Sequence, residues 1–199
     1  MNTDLPKWVQ IAILLTIAIV ALLVFSSQDR MHVYGTYLRE KSPEITTNLP
    51  ALSADMDEAM LRKHFERVPL TCIGQGPGSD IMGDRVCYAS IDKADGDAAL
   101  TLAAFFRKGR LAHLIVQMPW WVHKSWATRL TGRFGRPVHA GLVSRFGGPV
   151  LRWTMLNGYV DSNRDRSLNP FNWNVIMWTG GNVSQSGKEN DQNTPAAPY

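Results

Sequence analysis

Apolar residues are spread unevenly along the chain. From Trp8 to Phe25 the sequence WVQIAILLTIAIVALLVF has no charge and one amide, Gln10. As a helix it would be about 27 Å long, close to the hydrocarbon thickness of a bilayer. Lys7 and Trp8 at one end and Ser26–Arg30 at the other supply interfacial flanks. The expectation is one transmembrane helix over residues 8–25, after a short flank over 1–7. The alternative is a cleaved signal peptide, since Val24-Phe25-Ser26 fits a small-residue cleavage site. Signal-peptide apolar cores are usually shorter, which favours the anchor.

Beyond the anchor no clear period is visible over 26–53, which contains Pro43 and Pro50 and reads as a linker. A helix is then expected after Ser53, with Asp55, Asp57 and Glu58 near its positive end, Met56, Met60, Leu61 and Phe65 as its apolar stripe, and Pro69 beyond it. PLTCIG and RVCYASI read as short strands around a turn-rich loop. Ala98–Phe106 and Leu111–Met118 read as a hairpin closed by Arg107–Arg110. Pro119 opens a helix running to about Gly132, which Gly135 and Pro137 stop. Leu151–Met155 and Tyr159–Ser162 flank Asn157-Gly158, the strongest short hairpin signal in the chain. Asn174–Thr179 is a last strand.

The order is helix, about four strands, helix, about three strands: two helix-plus-meander halves of unequal length. An α+β fold follows, an antiparallel sheet with two packed helices, spanning residues 54–179. From residue 180 the sequence GGNVSQSGKENDQNTPAAPY is too polar to bury a core and reads as a disordered tail over 180–199.

Composition changes this picture in two places. The chain has 199 residues, of which 45% are apolar and 19% charged, with a net charge of +4. Its two cysteines, Cys72 and Cys87, lie on the two short strands facing each other across the turn-rich loop. A disulfide there would add about 3 kcal/mol through the unfolded state and would persist only in an oxidising compartment. Reduced thiols acting as small apolar residues are the alternative. The positive-inside rule taken alone would keep the domain in the cytoplasm, because Arg30, Arg39 and Lys41 follow the helix. A short N-terminus before a long apolar run, together with the paired cysteines, argues instead for the periplasmic face of a bacterial inner membrane.

The second place is electrostatic. Between Asp97 and Asp161 there is no carboxylate, while Arg107, Lys108, Arg110, Lys124, Arg129, Arg133, Arg136, Arg145 and Arg152 all lie in that stretch. Such a run attracts anionic partners unless acids from elsewhere neutralise it in space. Inside it, PWWVHKSWATRLTGRFGRP places Val122, Trp126, Leu130 and Phe134 on one helical face. Trp120, Trp121, Lys124, Trp126, Arg129, Arg133 and Arg136 form a candidate anionic-surface site, since indoles and cations suit the headgroup region. The competing reading is a helix packed on a sheet through its aromatics. The partners expected are the membrane itself and an anionic lipid or an envelope protein, with no nucleic acid.

Other motifs are weaker. Asp161, Asn163 and Asp165 begin like a calcium loop, which then fails at Arg166 and Asn172. Gly74–Gly78 leads into a strand rather than a helix, unlike a phosphate loop. Ser90-x-x-Lys93 lacks the companion elements of a serine acylase. The five histidines show no two-ligand helical spacing. No cofactor is implied. The expectation is an accessory or interaction domain without catalytic chemistry. The alternative is a hydrolase or transferase acting on an envelope polymer, built from Asp92, Asp95, Asp97 or Asp161 with His113 or His123.

Overall fold

The computed structural model describes residues 6–25, 35, 37, 39, 41–74, 82–143, 149–163 and 173–181. Helix α1 (Lys7–Phe25) buries none of its side chains and is long and apolar enough to cross a membrane. The remainder is α+β and mostly strands. After β1 (Glu44–Ile45) come α2 (Glu58–His64), β2 (Thr71–Gly74), β3 (Arg85–Ser90), β4 (Lys93–Ala94), β5 (Asp97–Ala98), β6 (Thr101–Arg107) and β7 (Arg110–Pro119). Then follow α3 (His123–Phe134), β8 (Val138–Val143), β9 (Pro149–Met155), β10 (Gly158–Asn163) and β11 (Trp173–Gly180).

Eight strands form one antiparallel sheet in the order β2-β3-β6-β7-β11-β10-β9-β8. The order resolves into two four-stranded meanders, each preceded by a helix, that meet where β7 pairs with β11. Local hairpins build each half; only the β7–β11 seam joins distant parts of the chain. The second half has four strands rather than three. Val138–Val143 was hidden in sequence between the helix stop and a glycine-containing stretch, and its pairing to β9 is irregular.

Register brings one residue from each successive strand onto the covered face: Cys72, Cys87, Ala104, Leu114, Trp178, Val160 and Trp153. The last six are buried, which is what period-two alternation in β6 and β11 encodes. Trp126 and Leu130 from α3 and Leu61 from α2 close the core. The hairpin at Asn157-Gly158 has the reason its sequence advertised. Gly158 sits at φ +148°, where an added Cβ would lie 2.0 Å from the Thr179 carbonyl oxygen.

Three local expectations change. Helix α2 starts later than Ser53: Asp57 is its N-cap, accepting from Met60 N at 2.8 Å, while Ser53 Oγ accepts from Asp55 N. Met60 is half exposed and does not belong to the buried stripe of Met56, Leu61 and Phe65. The run Ala98–Phe106 is interrupted at Ala99 and Leu100, so β5 hairpins with β4 and only β6 enters the main sheet.

The folded unit also reaches beyond the expected boundaries. Ile45, Thr47, Leu49 and Leu52, from the stretch read as linker, are buried. β1 pairs in parallel with β4 in a small three-stranded sheet. Asn157 Nδ2 donates to the carbonyls of Leu49 at 2.9 Å and Leu52 at 2.6 Å, tying this segment to the β9–β10 turn. Its lack of period arises because each buried residue meets a different partner. At the other end Gly180 closes β11 against Gly158. The remaining tail and most of residues 26–40 lie outside the described residues.

Candidate functional site

Pro119 ends β7 in extended backbone and starts a 3₁₀ turn, Trp120–Val122, that runs into α3. Val122 points into the core, so its two predecessors turn outward. Trp120 is 49% and Trp121 52% exposed, and their rings meet edge to face at 6.2 Å. Burying a tryptophan is worth several kcal/mol, so two adjacent ones left half in solvent are the least expected apolar surface on this domain.

The residues proposed with them separate into two groups. Trp126 is 1% exposed and belongs to the core, its indole N–H without a partner. Arg129 donates from Nη2 to Asp97 Oδ2 at 2.7 Å and lies 5.2 Å over the Trp126 ring. Both therefore act inside the fold and leave the candidate site. Lys124, Arg133 and Arg136 are exposed and make no ion pair with any described residue; Arg133 rests 5.6 Å over its neighbour Phe134.

The acid-free run is thus partly neutralised by the two aspartates that bracket it. Asp97 takes Arg129, and Asp161 takes Arg152 through two bonds of 2.7 Å, with Tyr159 stacked 3.7 Å beneath that guanidinium. Hydrogen bonding to Asp161 raises the Arg152 pKa. Sequence gave no sign of either pairing. Asp161 faces Arg152 directly across β9–β10, whereas Asp97 reaches α3 only because its hairpin stands against that helix. Arg145 lies outside the described residues.

The way the chain enters the domain bears on the tryptophan pair. Glu44 of β1 accepts from Lys93 Nζ of β4 at 2.6 Å. The β4–β5 hairpin then carries Asp97, which also accepts from Ser125 Oγ at 2.8 Å, one turn beyond Trp121. Through the β4–β5 hairpin, hydrogen bonds thus link β1, near the start of the folded part, to the helix that follows the exposed indoles.

The remaining candidates find structural partners. Cys72 and Cys87 face each other across β2–β3 with sulfurs at bonding distance, 1.99 Å, and Cα atoms 4.0 Å apart. Around them Arg62 donates to Cys72 Sγ at 2.9 Å and to Glu58, and Arg85 donates to Glu58 at 2.7 Å. Those two bonds, Arg85 first, hold the Glu58 carboxyl below its ordinary pKa. Glu58 and the two sulfurs lie within 4.8 Å of one another, but sulfurs bonded to each other offer no thiolate to a metal.

Asp161 and Asn163 stand in β10 rather than in a ligand loop. The first is taken by Arg152, and the second accepts from Val175 N at 3.0 Å. Two of the three residues of the weak calcium-loop candidate thus stand in a strand, and Asp165 lies outside the described residues. Asp95 accepts from both the N–H and the hydroxyl of Thr47, at 2.9 and 2.6 Å. Asp92 keeps one buried oxygen without a partner. His113 meets Thr179 at 3.0 Å, and burial lowers its pKa. A shallow cleft brings Glu44, His64 and Glu66 together, where the His64 ring bonds to the Thr47 carbonyl at 3.2 Å.

Comparison with protein-family models, with curated proteins and with solved structures gave no match to this chain.

Proposed function

We propose that this chain is a membrane-anchored, extracytoplasmic accessory domain that docks on an anionic bilayer surface through the start and outer face of α3. The anchor is α1, and the surface is Trp120, Trp121, Lys124, Arg133 and Arg136. One observation carries the reading: two adjacent half-exposed indoles lie beside cations with no ion pair among the described residues, on a helix that hydrogen bonds tie through the β4–β5 hairpin to β1. Indoles partition to headgroup depth, and each Lys or Arg near an anionic surface contributes about 1 kcal/mol. The tether multiplies even weak affinity through effective concentration. Placement on the oxidising side is supported by the paired cysteines, since such bonds do not persist against cytoplasmic thiols.

The test uses the full chain in nanodiscs of neutral or anionic lipid, with docking read from quenching of tryptophan fluorescence by brominated acyl chains. Anionic lipid is expected to increase quenching, and Trp120→Ala with Trp121→Ala to abolish the increase. Replacing Lys124, Arg133 and Arg136 together by Gln removes about 3 kcal/mol, roughly 100-fold in the docking equilibrium. Equal quenching in both lipids would defeat the proposal and leave an envelope protein as the partner to seek.

A further inference from the structure

A cleft of about 390 Å³ separates α3 from the outer strands β9 and β10. Its helical wall is the stripe His123, Ala127 and Thr131 at four-residue spacing, with Lys124 and Thr128 on the outer lip. Leu151 and Ser162 form the floor. They are direct partners across the β9–β10 ladder and so project from the same side of the sheet.

Two features of the cleft point to a ligand. Ser162 is only 8% exposed, yet its hydroxyl makes no hydrogen bond with a described residue. The hydroxyl faces the cleft and stays accessible from it, so a ligand oxygen there can accept its proton. At the lip, Lys124 carries its charge with no counter-ion among the described residues. Thr131 Oγ accepts the Trp153 indole N–H at 3.4 Å and keeps its own proton to donate. The cleft opens beside the exposed indoles, the His123 ring meeting the Trp120 carbonyl at 3.2 Å.

We infer that this cleft seats one anionic phospholipid of the bilayer on which the domain docks. Lys124 meets the phosphate, and the hydroxyls of Thr128, Thr131 and Ser162 meet the glycerol and ester oxygens. The first methylenes of an acyl chain lie against Ala127 and Leu151. The inference rests on the surface-docking reading, which turns the mouth of the cleft toward lipid. A free phosphate suits the site less well, because one cation faces mainly apolar walls and the volume exceeds a phosphate ion. Polar points converging in an otherwise apolar pocket are the common plan of small-molecule sites.

In the test, full-length protein in detergent micelles is equilibrated with short-chain phosphatidylglycerol, short-chain phosphatidylcholine or glycerol phosphate. Retained ligand is counted by native mass spectrometry. One phosphatidylglycerol is expected to stay bound, roughly tenfold more tightly than phosphatidylcholine, whose choline cation beside the phosphate is repelled by Lys124. Glycerol phosphate is expected not to be retained. Ala127→Trp fills the cleft and should abolish retention. Ser162→Ala and Lys124→Gln, which leave the fold intact, should each weaken it several-fold.

Unchanged retention in all three variants, equal retention of both lipids, or tighter retention of glycerol phosphate would overturn the inference. The nanodisc docking assay separates this from the wider reading. Docking that persists in Ala127→Trp while the wild type retains no phosphatidylglycerol defeats the lipid seat alone. Retention without any anionic preference in docking defeats the surface reading instead.

Discussion

Asp97 accepts two hydrogen bonds on the same carboxylate oxygen, from Arg129 Nη2 at 2.7 Å and from Ser125 Oγ at 2.8 Å. A two-residue strand in a small side sheet thereby holds the first turns of α3 and fixes where the Trp120–Trp121 step points. The bond also removes one cation from the helix surface. The proposed docking face and the fold compete for Arg129, and the fold has it.

Asp97→Asn should therefore have two opposite effects. Stability falls by about 1 kcal/mol, the usual scale for a partly exposed pair, and a lowered urea midpoint would report it. Docking to anionic nanodiscs strengthens, because Arg129 is released to the surface. Weaker docking in this variant would mean that orientation of the helix matters more than its charge.

Reducing the Cys72–Cys87 bond should lower stability by about 3 kcal/mol for a loop of this length. Denaturation with and without reductant measures this. Cys72→Ala with Cys87→Ala should match the reduced wild type. On intact cells, thiol labelling that requires prior reduction is expected; labelling without it would place the domain in a reducing compartment.

Asn157→Ala leaves the carbonyls of Leu49 and Leu52 without their side-chain donor. The expected loss is about 2 kcal/mol, two modest hydrogen bonds in a partly buried place. Hydrogen exchange should accelerate at Ala51 and Leu52, whose amides bond to the Asn48 and Leu49 carbonyls in the short 3₁₀ turn Leu49–Ala51, before it does in the main sheet.

His113 gives stability a dependence on acid. Burial, and after it the nearby Arg107 charge, lowers its folded pKa below the ordinary value of 6.5. Above that value the ring is neutral in both states and contributes no slope. As pH falls from about 6.5 toward the lowered folded value, the unfolded chain binds the proton first, so stability declines; below both it levels off. His113→Gln should flatten that decline in a series of urea midpoints while leaving the neutral-pH value lower by the changed contact with Thr179.

Several parts of this protein are legible one residue at a time. The apolar run of α1, the Asn157-Gly158 turn, the alternation in β6 and β11 and the Val122–Trp126–Leu130 stripe each encode a local geometry. The facing of Cys72 and Cys87 follows from two short strands around a turn-rich loop. Period and turn chemistry are properties of neighbours in sequence, so a single pass along the chain recovers them.

Other facts were settled only when distant segments met. Nothing local marks Ile45 or Leu49 as core, because their partners lie in β4 and the β9–β10 turn. Basic spacing could not separate Arg129, paired to Asp97, from Arg133 and Arg136, which make no ion pair with a described residue; the difference is a hairpin placed against the helix from outside its own stretch. Amphipathicity says that a face is covered, not what covers it. Which charges stay free and which tryptophans stay wet are decided by that covering, and hence by the tertiary structure alone.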